Sequence, residues 1–389
     1  MCPDDPLDEL VQQIGLTGCV LNIFMQIKEL TSYLESIAPL SYQEDYDNSG
    51  LIVGDPQTQV TGAMISLDCT EEVIDEAISK GCNLLISHHP IVFRGMKRFN
   101  GKTYVERAVI KAIRNDVALY AIHTNFDNVL NGVNAKLCQV IGLTDCSILS
   151  PKGGLLKKLV TYCPHAQAEQ VRNALFKAGA GQIGNYSECS FNTEGEGTFK
   201  AGENTNAFVG EKGRRHTEAE TRIEVIYPAT REKEIMIALH MAHPYEEIAY
   251  ENYNLTNQYQ DVGSGMIGIL ADEMDELAFL KHVKSSLGSA VIRHTAFRNK
   301  KVKRVAVCGG AGGFLLPQAI SAGADVFITA DYKYHEFFDA DKKILIADVG
   351  HFESEQFTQQ LLLELITEKF PNFALHLTAQ STNPINYLI

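Results

Sequence analysis

The sequence predicts an α/β domain split by an inserted α+β domain, and three observations lead there. Residues 26–150 and 304–369 alternate short apolar runs with amphipathic helical stretches, the order that builds a sheet covered by helices. In both regions the apolar runs end in histidines or acids, and α/β folds gather their chemistry beyond the carboxyl ends of the strands. Between them the pattern is strand, helix, strand, strand, helix, strand, the split ferredoxin-like arrangement. The expected organisation is an extension over residues 1–24, a first half over 25–154, an insert over 155–262 and a second half over 263–389.

Within the extension, Leu7, Leu10, Val11 and Ile14 have helical spacing. In the first half, Gln26–Ile37 sets Ile27, Leu30, Leu34 and Ile37 on one helical face. Ala63–Leu67 is a strand, and Thr70–Lys80 a helix capped by Thr70 with acids in its first turn. Asn83–Ser87 is a strand running into His88-His89-Pro90; Tyr104–Arg114 is helical; Val117–Ile122 is a strand ending at His123.

The insert begins with strand Lys157–Cys163 and helix His165–Ala178. Tyr186–Phe199 alternates like a hairpin with Gly195-Glu196-Gly197 at its turn. Strand Thr221–Tyr227, helix Thr230–Met241 and strand Ile248–Leu255 complete it, with turn-rich joints at Pro151–Gly154 and Gln258–Gly263. The second half has strands Arg304–Cys308, Asp325–Thr329 and Lys343–Asp348, the last feeding Gly350-His351 and a helix to about Lys369.

Composition narrows the function. At 389 residues and 45% apolar, the chain is long enough for two or three domains with sizeable cores. It holds no apolar run of the roughly 18 residues that span a bilayer, and its acidic start lacks the basic residues of a signal peptide, so a cytoplasmic protein is expected. Nine scattered cysteines without a CxxC pair suit a reducing compartment. A net charge of −14 disfavours a general nucleic-acid surface; Lys97-Arg98 and Lys212–Arg215 read as solvated loop charge.

The candidate chemistry lies at the strand ends. Pro90 forces a turn at which His88 and His89 can splay around two metals. His351 and Glu355, four apart at a helix start, share a face, and His123 and Asp127 repeat that offset. Each signal alone is ordinary; three at three strand ends point to a site for one or two divalent transition metals, since imidazole and carboxylate are their usual ligands. The glycine run 309–313 lacks the Lys-Ser/Thr of a P-loop and reads as a tight turn. In Ala242-His-Pro-Tyr-Glu-Glu247, His243 reads as a structural residue at a helix end.

Glu44-Asp-Tyr-Asp-Asn48, Gly50-Leu-Ile-Val-Gly54, Ser66-Leu-Asp-Cys-Thr70, Ser87-His-His-Pro90, His123-Thr-Asn-Phe-Asp127, Thr329–His335 and Asp348–Glu355 stand in the order of one family. Over residues 25–389 the chain resembles the GTP cyclohydrolase 1 type 2 homologue (Nif-three-like) proteins. Its insert, through Gly184–Cys189 and Ala242–Glu247, resembles the CutA/PII-like domain of the longer bacterial members. Residues 1–24 have no counterpart, which makes Met25 the expected start, and Ala330 stands where the family commonly has glycine.

The resemblance implies a toroidal homohexamer with a dinuclear metal centre facing an internal cavity. It places metal ligands on His88, His89, Asp127, His351 and Glu355, and site-lining, catalytic positions on His123 and His335. Glu355 would bridge, with His88 and His351 on one ion and His89 and Asp127 on the other. The implied function is hydrolysis of a nucleotide-like substrate with two divalent ions, Zn, Fe or Mn. The alternative is a toroidal metal-binding scaffold or regulatory protein that holds a partner protein or nucleic acid without turnover.

Overall fold

The computed structural model describes residues 25–388; the extension over 1–24, with its helical spacing, lies outside the described residues. In chain order the first strands are β1 (Gly50–Val53), β2 (Ala63–Ser66), β3 (Leu84–Ser87), β4 (Ala118–Ala121), β5 (Leu143–Gly153), β6 (Leu156–Pro164), β7 (Phe191–Lys200) and β8 (Arg215–Pro228). Then come β9 (Tyr250–Leu255), β10 (Gln258–Asp275), β11 (Arg293–His294), β12 (Lys301–Val307), β13 (Val326–Thr329), β14 (Leu345–Asp348) and β15 (Leu375–Leu377).

They form three sheets, ordered β1-β4-β3-β2-β15, β11-β14-β13-β12-β10-β5 and β7-β8-β6-β9. In the first, β4, β3, β2 and β15 are parallel; in the second, β12, β13 and β14 are. These central strands are buried on both faces, which is why they read as unbroken apolar runs such as Leu84-Leu-Ile-Ser87 and Val326-Phe-Ile-Thr329.

Helix Ile27–Ile37 buries Leu30 and Leu34 against one face of the first sheet, together with Leu362 and Ile366 of helix Thr358–Lys369. The two halves of the α/β unit therefore share one core. Val73 and Ile74 of helix Glu71–Ser79 and Val109 of helix Tyr104–Arg114 cover the opposite face. Thr70 accepts from the Val73 amide at 3.4 Å and Thr103 from the Glu106 amide at 3.2 Å, the capping bonds that start those helices. Helices Val133–Ile141 and Glu276–Leu287 cover one face of the second sheet, and Leu316–Ser321 the other.

The third sheet has the ferredoxin-like order, with its helices Ala168–Lys177 and Glu232–Ala242 packed through Val171, Leu175, Ile235 and Leu239. Two local expectations do not hold. Gly195-Glu196-Gly197 is no turn: it lies inside β7, paired with Glu218–Glu220 of β8. Gln258–Gly263 and Pro151–Gly153 are not free turns either: they pair as β10 and β5, Gln258 opposite Gly153, across a bulge ending at Gly263. A side chain on Gly263 would overlap the Ser150 carbonyl, so glycine is needed for that close approach. No described helix is long and apolar enough to cross a membrane.

Candidate metal centre

The carboxyl ends of the parallel strands of both sheets converge on one cavity of about 470 Å³. From the first sheet, β2 delivers Asp68, β3 delivers His88 and His89, and β4 delivers His123 and, on the short helix Thr124–Asp127, Asp127. From the second, β13 leads to Asp331, and β14 to helix His351–Glu355. Past the end of β3 the consecutive amides of His88 and His89 both bond the β2 side, at Ser66 O (3.2 Å) and Leu67 O (2.9 Å), and the two rings lie 4.9 Å apart with planes crossing at 47°. Asn125 and Asn128 pin the short helix by donating to Ala38 O at 2.7 Å and Tyr42 O at 2.9 Å.

Glycine shapes the other side. Gly310, at φ +61°, lies so close to Glu355 that a side chain there would overlap the carboxylate. The amides of Gly309, Gly310 and Gly312 donate to Asn134, Ser354 and Thr329, so this run is a turn packed onto the site and its amides are already engaged.

Glu355 stands at the centre, buried at 2% exposure. Its Oε2 lies 3.0 Å from both His89 Nε2 and His351 Nε2, which are 3.3 Å apart. Its Oε1 faces His88 Nε2 at 3.9 Å, and that nitrogen lies 3.6 Å from Asp127 Oδ1. Two donor trios thus share one carboxylate, His89-His351-Glu355 and His88-Asp127-Glu355, each with its donor atoms within 4.8 Å of one another. His88, His89 and His123 make a third such group. His88 Nε2 and Asp127 Oδ1 are buried without a hydrogen-bond partner, a costly arrangement unless a cation fills the space between them. The residues present fit a divalent metal pair.

The outer partners fix which nitrogen faces inward. His88 Nδ1 donates to Ile122 O (2.8 Å), His89 Nδ1 to Asp68 Oδ1 (2.8 Å), His351 Nδ1 to Asp331 Oδ2 (2.7 Å) and His123 Nδ1 to Asp47 Oδ1 (2.8 Å). Each ring is left with Nε2 as its free ligand atom, the usual support of a metal-binding histidine. Charge follows the same division. Burial pushes the His88 pKa down to about 3, with the Glu355 charge working against it. Burial also opposes protonation of His89 and His351, but bonds to Asp68, Asp331 and Glu355 outweigh it and raise them to about 9 and about 11. Burial and the neighbouring Glu355 raise Asp127 well above the carboxylate range, while His351 and His89 hold Glu355 well below it against its own burial.

Of the sequence-derived site residues, His88, His89, His123, Asp127, His351 and Glu355 meet here. The distances do not reproduce the expected pairing: His351 sits with His89, and Asp127 with His88. His335 is not brought in. It is exposed on the 3-10 turn Tyr334–Ala340, against Tyr334 and Phe338, and is not among the residues lining the cavity. That turn starts with the Lys333 amide donating to Glu336 Oε2 at 3.1 Å, and the Glu336 amide donating to Lys333 O at 3.0 Å. Sequence reasoning missed Asp47, Asp68 and Asp331. Their signal was position, since Asp68 and Asp331 follow strands as directly as the histidines do.

The Duf34/NIF3 (NGG1p interacting factor 3) family model matches residues 25–384. A GTP cyclohydrolase 1 type 2 homolog of Halalkalibacterium halodurans is 37% identical over 359 residues, covering 91% of this chain and 96% of that one. Its counterpart in Bacillus subtilis is 35% identical over 371 residues, covering 93% and 98%. Among solved structures, a Bacillus cereus protein related to NIF3 has a TM-score of 0.82 at 38% identity and covers 94% of this chain and 100% of its own. With its whole α/β unit and insert inside these matches, the chain belongs to the Duf34/NIF3 family.

Proposed function

We propose that this protein holds two divalent metal ions and hydrolyses a nucleotide-like substrate beside them. The observation that carries the reading is the Glu355 carboxylate, whose two oxygens each face a separate pair of donors, His88 with Asp127 and His89 with His351. Such a pair of ions, when bound, polarises substrate oxygens and lowers the pKa of water toward neutrality. His123 handles the proton: Asp47 holds the one on Nδ1, leaving Nε2 to accept and return another. Tyr46, Phe93 and Phe314 line the cavity with rings 46% or more exposed, faces on which a planar base can stack. The name carried by the relatives, GTP cyclohydrolase 1 type 2 homolog, agrees with a nucleotide.

A panel of nucleotides and phosphoesters, each with Zn, Fe(II) or Mn, tests the proposal. We expect turnover of at least one nucleotide, lost in Glu355→Gln. Two bound ions with no turnover of any compound would leave the scaffold reading in its place.

We also propose assembly into a homohexamer, since closed symmetry is the usual way in which a chain builds a ring around a cavity. The large exposed rings of Tyr334 and Phe338 support a buried contact on that segment. Light scattering should return six times the 43.0 kDa chain mass, for the full chain and for one starting at Met25. A shortened chain that falls to dimers would make residues 1–24 an assembly element.

A further inference from the structure

The inserted sheet carries a second cavity, of about 600 Å³, built from none of the metal-centre residues. Part of it is the β7–β8 ladder, where Gly195 and Gly197 pair with Glu220 and Glu218. A side chain on Gly197 would overlap the Glu220 carboxylate, so glycine lets that carboxylate lie against β7 and leaves room above it. This explains Gly197 within a strand; a side chain at Gly195 would meet open space.

Three rings surround the space. Tyr245 stands 6.1 Å from Phe199 at 59° and 6.3 Å from Phe208 at 54°, angles that make the sides of a box and not a stack. The box is held in place. The Tyr245 hydroxyl donates to Glu220 Oε1 at 2.8 Å, and the Asn206 amide, two residues before Phe208, donates to Glu246 Oε1 at 2.9 Å. Buried His243 sets the turn that presents Tyr245: its Nε2 donates to Tyr162 O at 2.9 Å and its Nδ1 accepts from the Tyr245 amide at 3.1 Å. The His-Pro-Tyr-Glu-Glu motif is thus a structural histidine supporting a ring and two acids.

The field inside is negative. Glu194, Glu196, Glu220, Glu246 and Glu247 line the cavity against Lys200 and Arg222, and Arg222 already pairs with Glu224 at 3.0 Å. Aromatic faces add their own negative potential. An anion has little to hold it here, whereas a cation gains both from the rings and from the carboxylates.

We propose that this cavity binds a small organic cation, an alkylammonium whose charge sits among Phe199, Phe208 and Tyr245 and beside Glu220. Its volume falls in the range of small-molecule sites, roughly 300–1,000 Å³. The proposal is independent of the metal centre. Calorimetric titration of the full-length assembly with choline, and separately with spermidine, tests it, with ATP as the anionic control. We expect saturable choline binding near one equivalent per chain, weakened about 10-fold in Phe208→Ala and in Glu220→Gln, with bound metal unchanged. Phe208 is 52% exposed, so its replacement leaves the sheet core untouched, and Tyr245→Phe, which keeps the ring, should retain most of the affinity. Absence of saturable heat from both amines at millimolar concentration, preference for ATP, or equal choline binding by Phe208→Ala and the unaltered chain would overturn it.

Discussion

Glu355→Ala is expected to strip most of both metal ions from the purified protein, against about two equivalents expected in the unaltered chain. Glu355 is the one residue common to the two opposed trios, so its loss leaves each ion with only two of those ligands. The substitution also removes the negative charge, 3.0 Å from His89 and His351, that would attract a cation to that side. His89→Ala is a narrower lesion: it should cost one ion, from the His89–His351 side, and leave the His88–Asp127 side filled. Elemental analysis of the two variants and of their combination separates these cases. Full metal content in the double variant would end the dinuclear reading.

That prediction uses residues visible in the sequence, but the pairing behind it was not visible. His88, His89, His123 and His351 could be read because each closes a strongly apolar strand, and strand ends are where such folds place ligands. Which histidine meets which carboxylate depends on how the second sheet approaches the first, a tertiary matter that no local spacing encodes. Asp68 and Asp331 escaped for a plainer reason, since an acid after a strand is common and only its bond to an imidazole distinguishes it. His335 shows the reverse: it stands in the expected order along the chain, but the 3-10 turn that carries it leaves the ring exposed and outside the cavity lining. In the insert, glycines at 195 and 197 obeyed the local rule for turns until ten consecutive pairs with β8 overrode it.

A chain ended after Ala379 should bind the ion on the His89–His351 side roughly 10- to 100-fold more weakly, the usual range when outer support of a ligand is lost. Strand β15 runs parallel to β2, Leu375 opposite Ala63, which sets the following segment beside the end of β2 where Asp68 lies. Glu76 anchors its start, accepting from Thr378 Oγ1 at 2.6 Å and from the Ala379 amide at 3.1 Å. Beyond that anchor, Thr382 Oγ1 donates to Asp68 Oδ2 at 2.6 Å, and Asp68 Oδ1 holds His89 Nδ1. Burial would raise the Asp68 pKa, yet the bonds from His89 and Thr382 keep it below the usual carboxylate range, so the charge that orients His89 depends partly on the tail. Asn383 reaches Glu353 on the ligand helix at 3.4 Å and, with Pro384 and Ile385, walls the cavity. Stopping at Ala379 preserves β15 and its anchor and removes this prop together with the Asn383–Ile385 wall. Thr382→Val isolates the single hydrogen bond and should weaken the same ion by a few-fold. Competition with a graded series of chelators measures both, and comparison with His89→Ala assigns the ion that is lost. Unchanged affinity for both ions in the shortened chain would show that the C-terminal segment only borders the metal centre and does not support it.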